Sequence, residues 1–237
     1  MVRTIMNVST HTYDESKIKT LSSLEHIRKR PGMYIGRLGD GSNQNDGIYI
    51  LLKEVVDNSV DEFIMGAGKK INITINTDGS VQVRDFGRGI PLGKIVDCVS
   101  TINTGAKYNT EVFQFSVGLN GVGTKAVNAL SDVFTVTSYR DGLFSSALFN
   151  NGKLIEQTDG TSEEKNGTLI DFLPSREMFP DFTFDVSYVE QRLWRYAYLN
   201  AGLKIYLDKK LFYSAKGLLD LLDKELSGTE LYPPIYY

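Results

Sequence analysis

The chain has 237 residues, 41% of them apolar and 23% charged, with a formal net charge of -3. That length and composition allow a sizeable core in one large globular domain, and the acidic balance excludes the overall basic footprint of a nucleic-acid binder. No run approaches the ~18 apolar residues of a membrane span, the start lacks the order of a signal peptide, and the single Cys98 excludes a disulfide framework, so a cytosolic (cytoplasmic) protein with no membrane partner is expected and Cys98 reads as core filler.

Residues 1–20 are polar and patternless and predict an N-terminal arm that folds only against something else, ahead of a domain over 21–237. The basic stretch HIRKRPGMYIGR, with Arg28, Lys29, Arg30 and Arg37, reads as a solvated loop face, or as a partner or phosphate contact, and GDGSNQND before Gly47 as a loop. From Ile48, apolar residues at Leu51, Leu52, Val55, Val56, Val60 and Phe63 predict an amphipathic helix of about four turns, stopped by the glycines at 66 and 68. INITIN (71–76) and VQVRD (81–85) alternate around TDGS and predict a hairpin. A glycine-rich stretch from Phe86 to Gly123 follows, broken by the apolar IVDCV, then a helix at TKAVNALSD (124–132). FTVTSY, LFSSALFN, KLIEQT and GTLIDFL (167–173) read as strands, 185–200 as a helix, LKIYLDKK as a strand and KGLLDLLDKEL as a last helix. This order predicts an α+β sandwich with a mostly antiparallel sheet.

On the first long helix, Glu54, Asp57, Asn58, Asp61 and Glu62 fall at i, i+3, i+4, i+7 and i+8, projecting from one face opposite the valines. Water is the ordinary neighbour of such a stripe. Like charges one turn apart cost roughly a few tenths of a kcal/mol each, however, and a solvated face gains more from interspersed lysines. The alternative uses Glu54 and Asn58 together: an amide oxygen can ligate Mg2+ while a carboxylate orients and deprotonates a water.

In VRDFGRGIP (83–91), Asp85 closes a strand ahead of Gly87 and Gly89, which is expected to expose its carboxylate at a loop mouth. There it can accept from an exocyclic amine such as N6 of adenine. The letters DFG occur in protein kinases, but no HRD loop accompanies them and the match is dismissed. In SVGLNGVGTK (116–125) the spacing of Gly118 and Gly123 fits a phosphate loop, yet Thr124-Lys125 follows in place of Lys-Ser/Thr, and GLNGVG also fails the dinucleotide fingerprint. Glycines opening onto a helix still offer N–H groups to a phosphate.

A metal-and-water face, an amine acceptor and a phosphate cradle converge on one ligand. On YDESKIKTLSSLEHIRKRPGMYIG, EVVDN, DFGRGIP, GLNGVG and NGT, the chain resembles, over nearly its whole length, the ATP-binding domain of the bacterial type II topoisomerase B subunits, those of DNA gyrase and topoisomerase IV, within the GHKL superfamily. RKRPGMYIG with EVVDN is specific to these subunits; the wider superfamily shares the Asn helix, the D-x-G-x-G stretch and the glycine-rich lid. DNSVDE, and FQFS before the lid, lean toward topoisomerase IV.

The resemblance implies a two-layer GHKL (Bergerat-type) sandwich, its sheet covered by helices on one face, with ATP and Mg2+ as ligands. Glu54 would be the general base and Asn58 the Mg2+ ligand. Asp85 would bind adenine, supported through water by Thr168, with Gly87, Gly89, Ile90 and Pro91 lining the base pocket. Arg88 would pair with Glu62 at the rim, and Arg140 with Arg88 would frame the pocket where aminocoumarin-type and other ATP-site inhibitors bind. Lys107 and the backbone of Gly118, Leu119, Asn120, Gly121, Val122 and Gly123 would hold the phosphates, while Tyr13 would reach across to a dimer partner's nucleotide. The implied activity is ATP-driven homodimer closure for passing one DNA duplex through another, with an A-type subunit as partner and a transducer domain supplying a further lysine, so little turnover is expected of this chain alone.

The chain departs from the family at Ile50, where a histidine commonly stands four residues before the base, at Asn120 in place of the lid histidine, at Phe86 in place of an asparagine, and in a shorter stretch between Pro91 and Lys107. Two other readings stay open: a GHKL kinase domain, opposed by RKRPGMYIG and the lack of a phosphoacceptor-helix pattern, and a nucleotide-gated clamp of a GHKL paralogue without catalysis. His11 and His26 read as surface residues and Trp194 as core.

Overall fold

The alternation in INITIN and VQVRD builds the centre of the molecule. In a computed structural model that describes residues 18, 20–104 and 121–226, β1 (Lys70–Ile75) and β2 (Val81–Asp85) form an antiparallel hairpin with Ile73 opposite Val83 and Ile75 opposite Val81. Beyond β2 come β6 (Gly167–Pro174), β3 (Ser131–Arg140), β4 (Leu143–Asn150) and β5 (Lys153–Thr161); beyond β1 come β7 (Lys204–Leu207) and β8 (Lys210–Phe212). Among the described residues this is one eight-stranded sheet, antiparallel at every neighbouring pair except β1 with β7.

Because side chains alternate along each strand, register carries one apolar row across the sheet from Ala147 through Val136, Ile170, Val83 and Ile73 to Leu207. A second row joins Phe149, Phe134, Phe172 and Val81. These side chains are buried; burial of each Val, Leu, Ile or Phe among them stabilises the fold by about 1.5–3 kcal/mol before entropy is counted. At one end the same covered side turns polar, with Ser138 opposite Thr168 and Asp85 at the end of β2 beside them. Asp85 and Thr168 at that polar end line a cavity.

The helical layer is α1 (Ser23–Lys29), α2 (Gly32–Ile35), α3 (Gly47–Ile64), α4 (Ile95–Ser100, after a 3-10 turn at Leu92–Lys94), α5 (Gly123–Ala129), α6 (Val186–Leu199) and α7 (Leu218–Leu226). The architecture is thus α+β, a mixed sheet with helices packed on it. α3 buries Leu51, Leu52, Val55, Val56 and Val60 and crosses β2 and β6. Its N-cap, Asp46, turns back to accept from Gly41 N at 3.0 Å and Asn43 N at 3.2 Å, fixing the preceding loop. Tyr49 extends this anchor: its hydroxyl donates to Gly41 O at 2.7 Å and accepts from Asp185 N at 2.8 Å. No helix among the described residues is long and apolar enough to cross a membrane.

Several elements differ from the sequence reading. The basic stretch is not a loop but α1 and α2, started by a capping box in which Ser22 and Glu25 bond each other's backbone N–H. Arg28 is an internal clamp from α1 to Ala129 O and Glu177, both at 2.7 Å, and Arg37 pairs with the buried Asp46 at 2.8 Å. His26 is half-buried, its Nδ1 2.8 Å from the Tyr34 hydroxyl. The helix at TKAVNALSD stops at Ala129, and Ser131 and Asp132 already belong to β3, where β-branched and aromatic neighbours favour a strand. LKIYLDKK is two strands, since Asp208 takes a positive φ of 51° and reverses the chain between β7 and β8. Trp194 packs on the core, stacked on Tyr198 and edge-on to Phe212.

Candidate functional site

Where α3 crosses the polar end of the sheet, it leaves a cavity of about 340 Å³ bounded by β2, the 86–91 loop, α4 and the start of α5. Of the residues singled out from sequence, Glu54, Asn58, Asp61, Glu62, Asp85, Arg88, Gly89, Ile90, Pro91, Gly121, Gly123, Arg140 and Thr168 line it. Gly87 and Val122 do not, and Tyr13, Lys107, Gly118, Leu119 and Asn120 lie outside the described residues.

Asp85 is not exposed at a loop mouth. It is the last buried position of β2, 6% accessible, because α3 closes over it. Oδ1 accepts from the backbone N–H groups of Gly87 at 2.9 Å and Thr168 at 3.2 Å, and Oδ2 lies 3.5 Å from the Ser59 hydroxyl. Burial pushes this carboxyl up to about 6, against the two backbone hydrogen bonds and Arg84 and with the nearby Glu62 charge. The result is an acceptor facing a largely apolar wall that includes Val83, Ile90 and Ile170.

The loop after Asp85 keeps its glycines for steric reasons. A Cβ on Gly87 would come within 2.7 Å of the Glu62 side chain, and one on Gly89, at φ +74°, within 2.7 Å of Tyr139 O. Arg88 can therefore fold back on Glu62, donating from its backbone N, Nε and a terminal nitrogen at 2.8, 3.0 and 2.8 Å. Arg140 donates weakly to Gly89 O at 3.4 Å, and Ser138 Oγ donates to Ile90 O at 2.7 Å, tying the loop to β3. Phe86 points away from these groups and takes the Arg84 guanidinium over its ring at 4.6 Å.

At the opposite end stand Glu54 and Asn58. The Asn58 amide nitrogen donates to Glu54 O at 2.9 Å and to Thr124 Oγ1 at 2.8 Å, joining α3 to α5. Gly123 packs on Glu54 so closely that a Cβ there would lie 1.9 Å from Oε2.

The acidic residues of α3 do not share one face. Asp57 is 1% exposed and turned away from the cavity, bonded to Lys53 on its own helix and to the Tyr196 hydroxyl of α6. Burial and the Asp57 charge raise the Tyr196 phenol above its ordinary range.

Sequence reasoning missed Ser59, Cys98, Thr104, Thr124 and Lys125, all on the cavity wall. Cys98 is half-buried on α4 and is a wall residue instead of core filler; burial raises its thiol. Lys125 is 3% exposed and donates to Thr104 O at 2.7 Å and to Gly121 O. A lysine in the first turn of a helix that opens on a glycine-rich stretch was the available signal for it; nothing local marks Cys98.

Residues 43–177, more than half of the chain, match the family described as Histidine kinase-, DNA gyrase B-, and HSP90-like ATPase, and the chain belongs to that family. Within it, the likeness runs to the B subunits of type II topoisomerases. Over 231 residues the chain is 55% identical to the B subunit of DNA topoisomerase 4 from Borreliella burgdorferi, covering 97% of this chain and 38% of that protein. It is 39% identical over 215 residues to the B subunit of DNA gyrase from Rickettsia bellii, covering 86% and 26%. The 43K ATPase domain of Thermus thermophilus gyrase B, solved with an aminocoumarin, superposes with a TM-score of 0.73 at 32% identity over 90% of this chain and 57% of that one. The fold is therefore the GHKL sandwich. The chain spans well under half the length of these curated relatives.

Proposed function

We propose that this chain is the ATP-binding and hydrolysing domain from the B subunit of a bacterial type II DNA topoisomerase, in the topoisomerase IV branch. The observation that carries the reading is one cavity with a buried amine acceptor, Asp85, at one end and Glu54 beside Asn58 at the other, in a chain 55% identical to the B subunit of a DNA topoisomerase 4. Asp85 accepts from the adenine amine, with Thr168 supporting it through water and Gly87, Gly89, Ile90 and Pro91 shaping the base pocket. Glu54 takes the proton of the water that attacks the γ-phosphate in line. Lys107 and the backbone of Gly118 to Gly123 hold the phosphates, and Tyr13, in an arm over 1–20 ahead of the domain at 21–237, reaches a second copy.

The donor set suits Mg2+. The Asn58 amide nitrogen is committed to Glu54 O and Thr124 Oγ1, and its oxygen is a hard donor of the kind Mg2+ takes beside phosphates and water. Asn58 would contribute its amide oxygen, and the bound ion would offset phosphate charge. In the full-length protein, ATP binding closes a homodimer gate for DNA passage in the cytoplasm, alongside an A-type subunit, and the rim of Arg88 and Arg140 receives ATP-site inhibitors of the aminocoumarin type.

The test is calorimetric titration of a non-hydrolysable ATP analogue with Mg2+ into the wild-type chain and Asp85→Ala. Binding by the first and at least about hundredfold weaker binding by the second is expected, since the purine amine loses its acceptor. Equal affinity in the two would remove Asp85 from the nucleotide site.

A further inference from the structure

Glu54 is held on two sides by groups that do not touch the cavity's ligand space in the same way. Gly123 packs against Oε2 from the cavity side, and Lys53 Nζ stands 3.6 Å from Oε1 on the other. Ile50, one turn earlier on α3, is apolar and offers no hydrogen bond to the carboxylate. Lys53 is not part of the cavity wall, so its direct contact on that side is with the Glu54 carboxylate.

An exposed lysine beside a glutamate would ordinarily mean little, because water screens the ion pair and the long side chain samples many rotamers. Lys53 is different because its ammonium is anchored. It donates to Asp57 Oδ2 at 2.5 Å, one turn further along α3, and Asp57 is buried and takes the Tyr196 hydroxyl on its other oxygen. Burial opposes the Lys53 charge, yet the hydrogen bond and charge of Asp57 together with those of Glu54 outweigh it and hold the ammonium above its usual range. Tyr196 sits on α6, which Arg192 fastens to Tyr49 O of α3 at 2.9 Å. The chain of contacts thus runs from α6 to a fixed cation beside a carboxylate that is itself only partly buried, 26% accessible in its side chain.

We propose that Lys53, anchored by Asp57 and Tyr196, is a positioning residue that holds the Glu54 carboxylate in the orientation needed to receive a proton from water. The inference rests on the reading of Glu54 as the base. Lys53 makes no contact with nucleotide; removing it leaves binding intact and lets the carboxylate turn away.

The experiment uses the full-length protein assembled with its A-type partner, comparing wild type, Glu54→Gln, Lys53→Met, Lys53→Arg and Tyr196→Phe. Steady-state ATP hydrolysis is measured, with titration of a non-hydrolysable analogue and thermal melting on the same preparations. Lys53→Met is expected to lower kcat about tenfold with KM and analogue affinity unchanged, the scale of a misplaced catalytic group, and Lys53→Arg to restore most of it. Tyr196→Phe, which leaves the lysine but loosens its anchor, lowers kcat less and in the same direction, and serves if Lys53→Met melts below the assay temperature. A wild-type kcat in both Lys53→Met and Tyr196→Phe overturns the proposal, as does a fall in kcat that tracks lost nucleotide affinity and is not restored by arginine. Glu54→Gln separates the two levels: if it hydrolyses ATP at the wild-type rate, the reading of Glu54 fails; if it is inactive while Lys53→Met is normal, only the role of Lys53 fails.

Discussion

The backbone N–H of Thr168, on β6, donates to Oδ1 of Asp85, the last residue of β2, at 3.2 Å. With the Gly87 N–H on the same oxygen at 2.9 Å, one half of the carboxylate is committed to holding the strand end and loop together. The other half is what the cavity can use.

Asp85→Asn therefore separates stability from binding. The amide oxygen can keep both backbone hydrogen bonds, while an NH2 group replaces the acceptor Oδ2 and faces the ligand amine donor with another donor. The variant is expected to melt no lower than wild type at pH 7.5, because a buried charge is gone, and to lose adenine nucleotide binding. Parallel melting curves and calorimetric titrations check both; retained binding would mean that Oδ2 is not the acceptor.

The Asp85 carboxyl also predicts a pH dependence. Its folded value, about 6, lies above the ordinary 3.8. Stability from this group is therefore fully present below about pH 3.8 and is lost as pH rises through about 6, a contribution of about 3 kcal/mol to the ligand-free chain. Ligand binding runs the other way, because the ionised form is the better acceptor. Analogue affinity should hold steady above pH 7 and weaken on acidification through 6, approaching tenfold per unit. Titrations at pH 5, 6, 7 and 8 test this, with Asp85→Asn as the pH-insensitive reference for stability.

Gly123→Ala is expected to act on hydrolysis more than on folding. The backbone there is helical and accepts alanine, but the new methyl would occupy the place of Glu54 Oε2, whose nearest approach would be 1.9 Å. The carboxylate must move, and a displacement of about 1 Å can cost on the order of a hundredfold in rate. ATP turnover in the full-length protein should fall while the melting temperature shifts by less than about 4 °C, the scale of 1 kcal/mol in a domain of this size. A variant with wild-type turnover would show that Glu54 has room to spare.

Tyr196→Phe should destabilise the fold by about 1–3 kcal/mol, since it strips a hydrogen bond from a carboxylate that is 1% exposed and leaves Lys53 as a partner. Urea unfolding measures it. A change below about 0.3 kcal/mol would mean that water replaces the hydroxyl at Asp57.

Much of this architecture is legible in neighbouring positions. Alternation in VQVRD already puts Val81, Val83 and Asp85 on one side of β2, and three-to-four spacing from Ile48 to Phe63 already describes α3. The capping box at Ser22 and Glu25 was equally available, but the charge run that follows it hid α1. The motif stretches EVVDN, DFGRGIP and NGT pointed to Glu54, Asn58, Asp85 and Thr168, which line one cavity: Glu54 and Asn58 stand one turn apart in the middle of α3, Asp85 ends β2 and Thr168 lies near the start of β6.

Other properties were beyond any window of sequence. Whether Asp85 is exposed depends on α3 lying across β2, and the acidic stripe splits because a tyrosine 139 positions after Asp57 reaches it from α6. The wall made by Cys98 and Lys125 exists only when α5 is packed against α3 and α4 against α5. By itself the sequence determined the elements, their covered sides and the residues with chemistry to offer, since these follow from the spacing of adjacent side chains. Only the tertiary structure decided which carboxylate meets the cavity, which is sealed away and which is held by a lysine, since burial and electrostatic environment come from groups far apart along the chain.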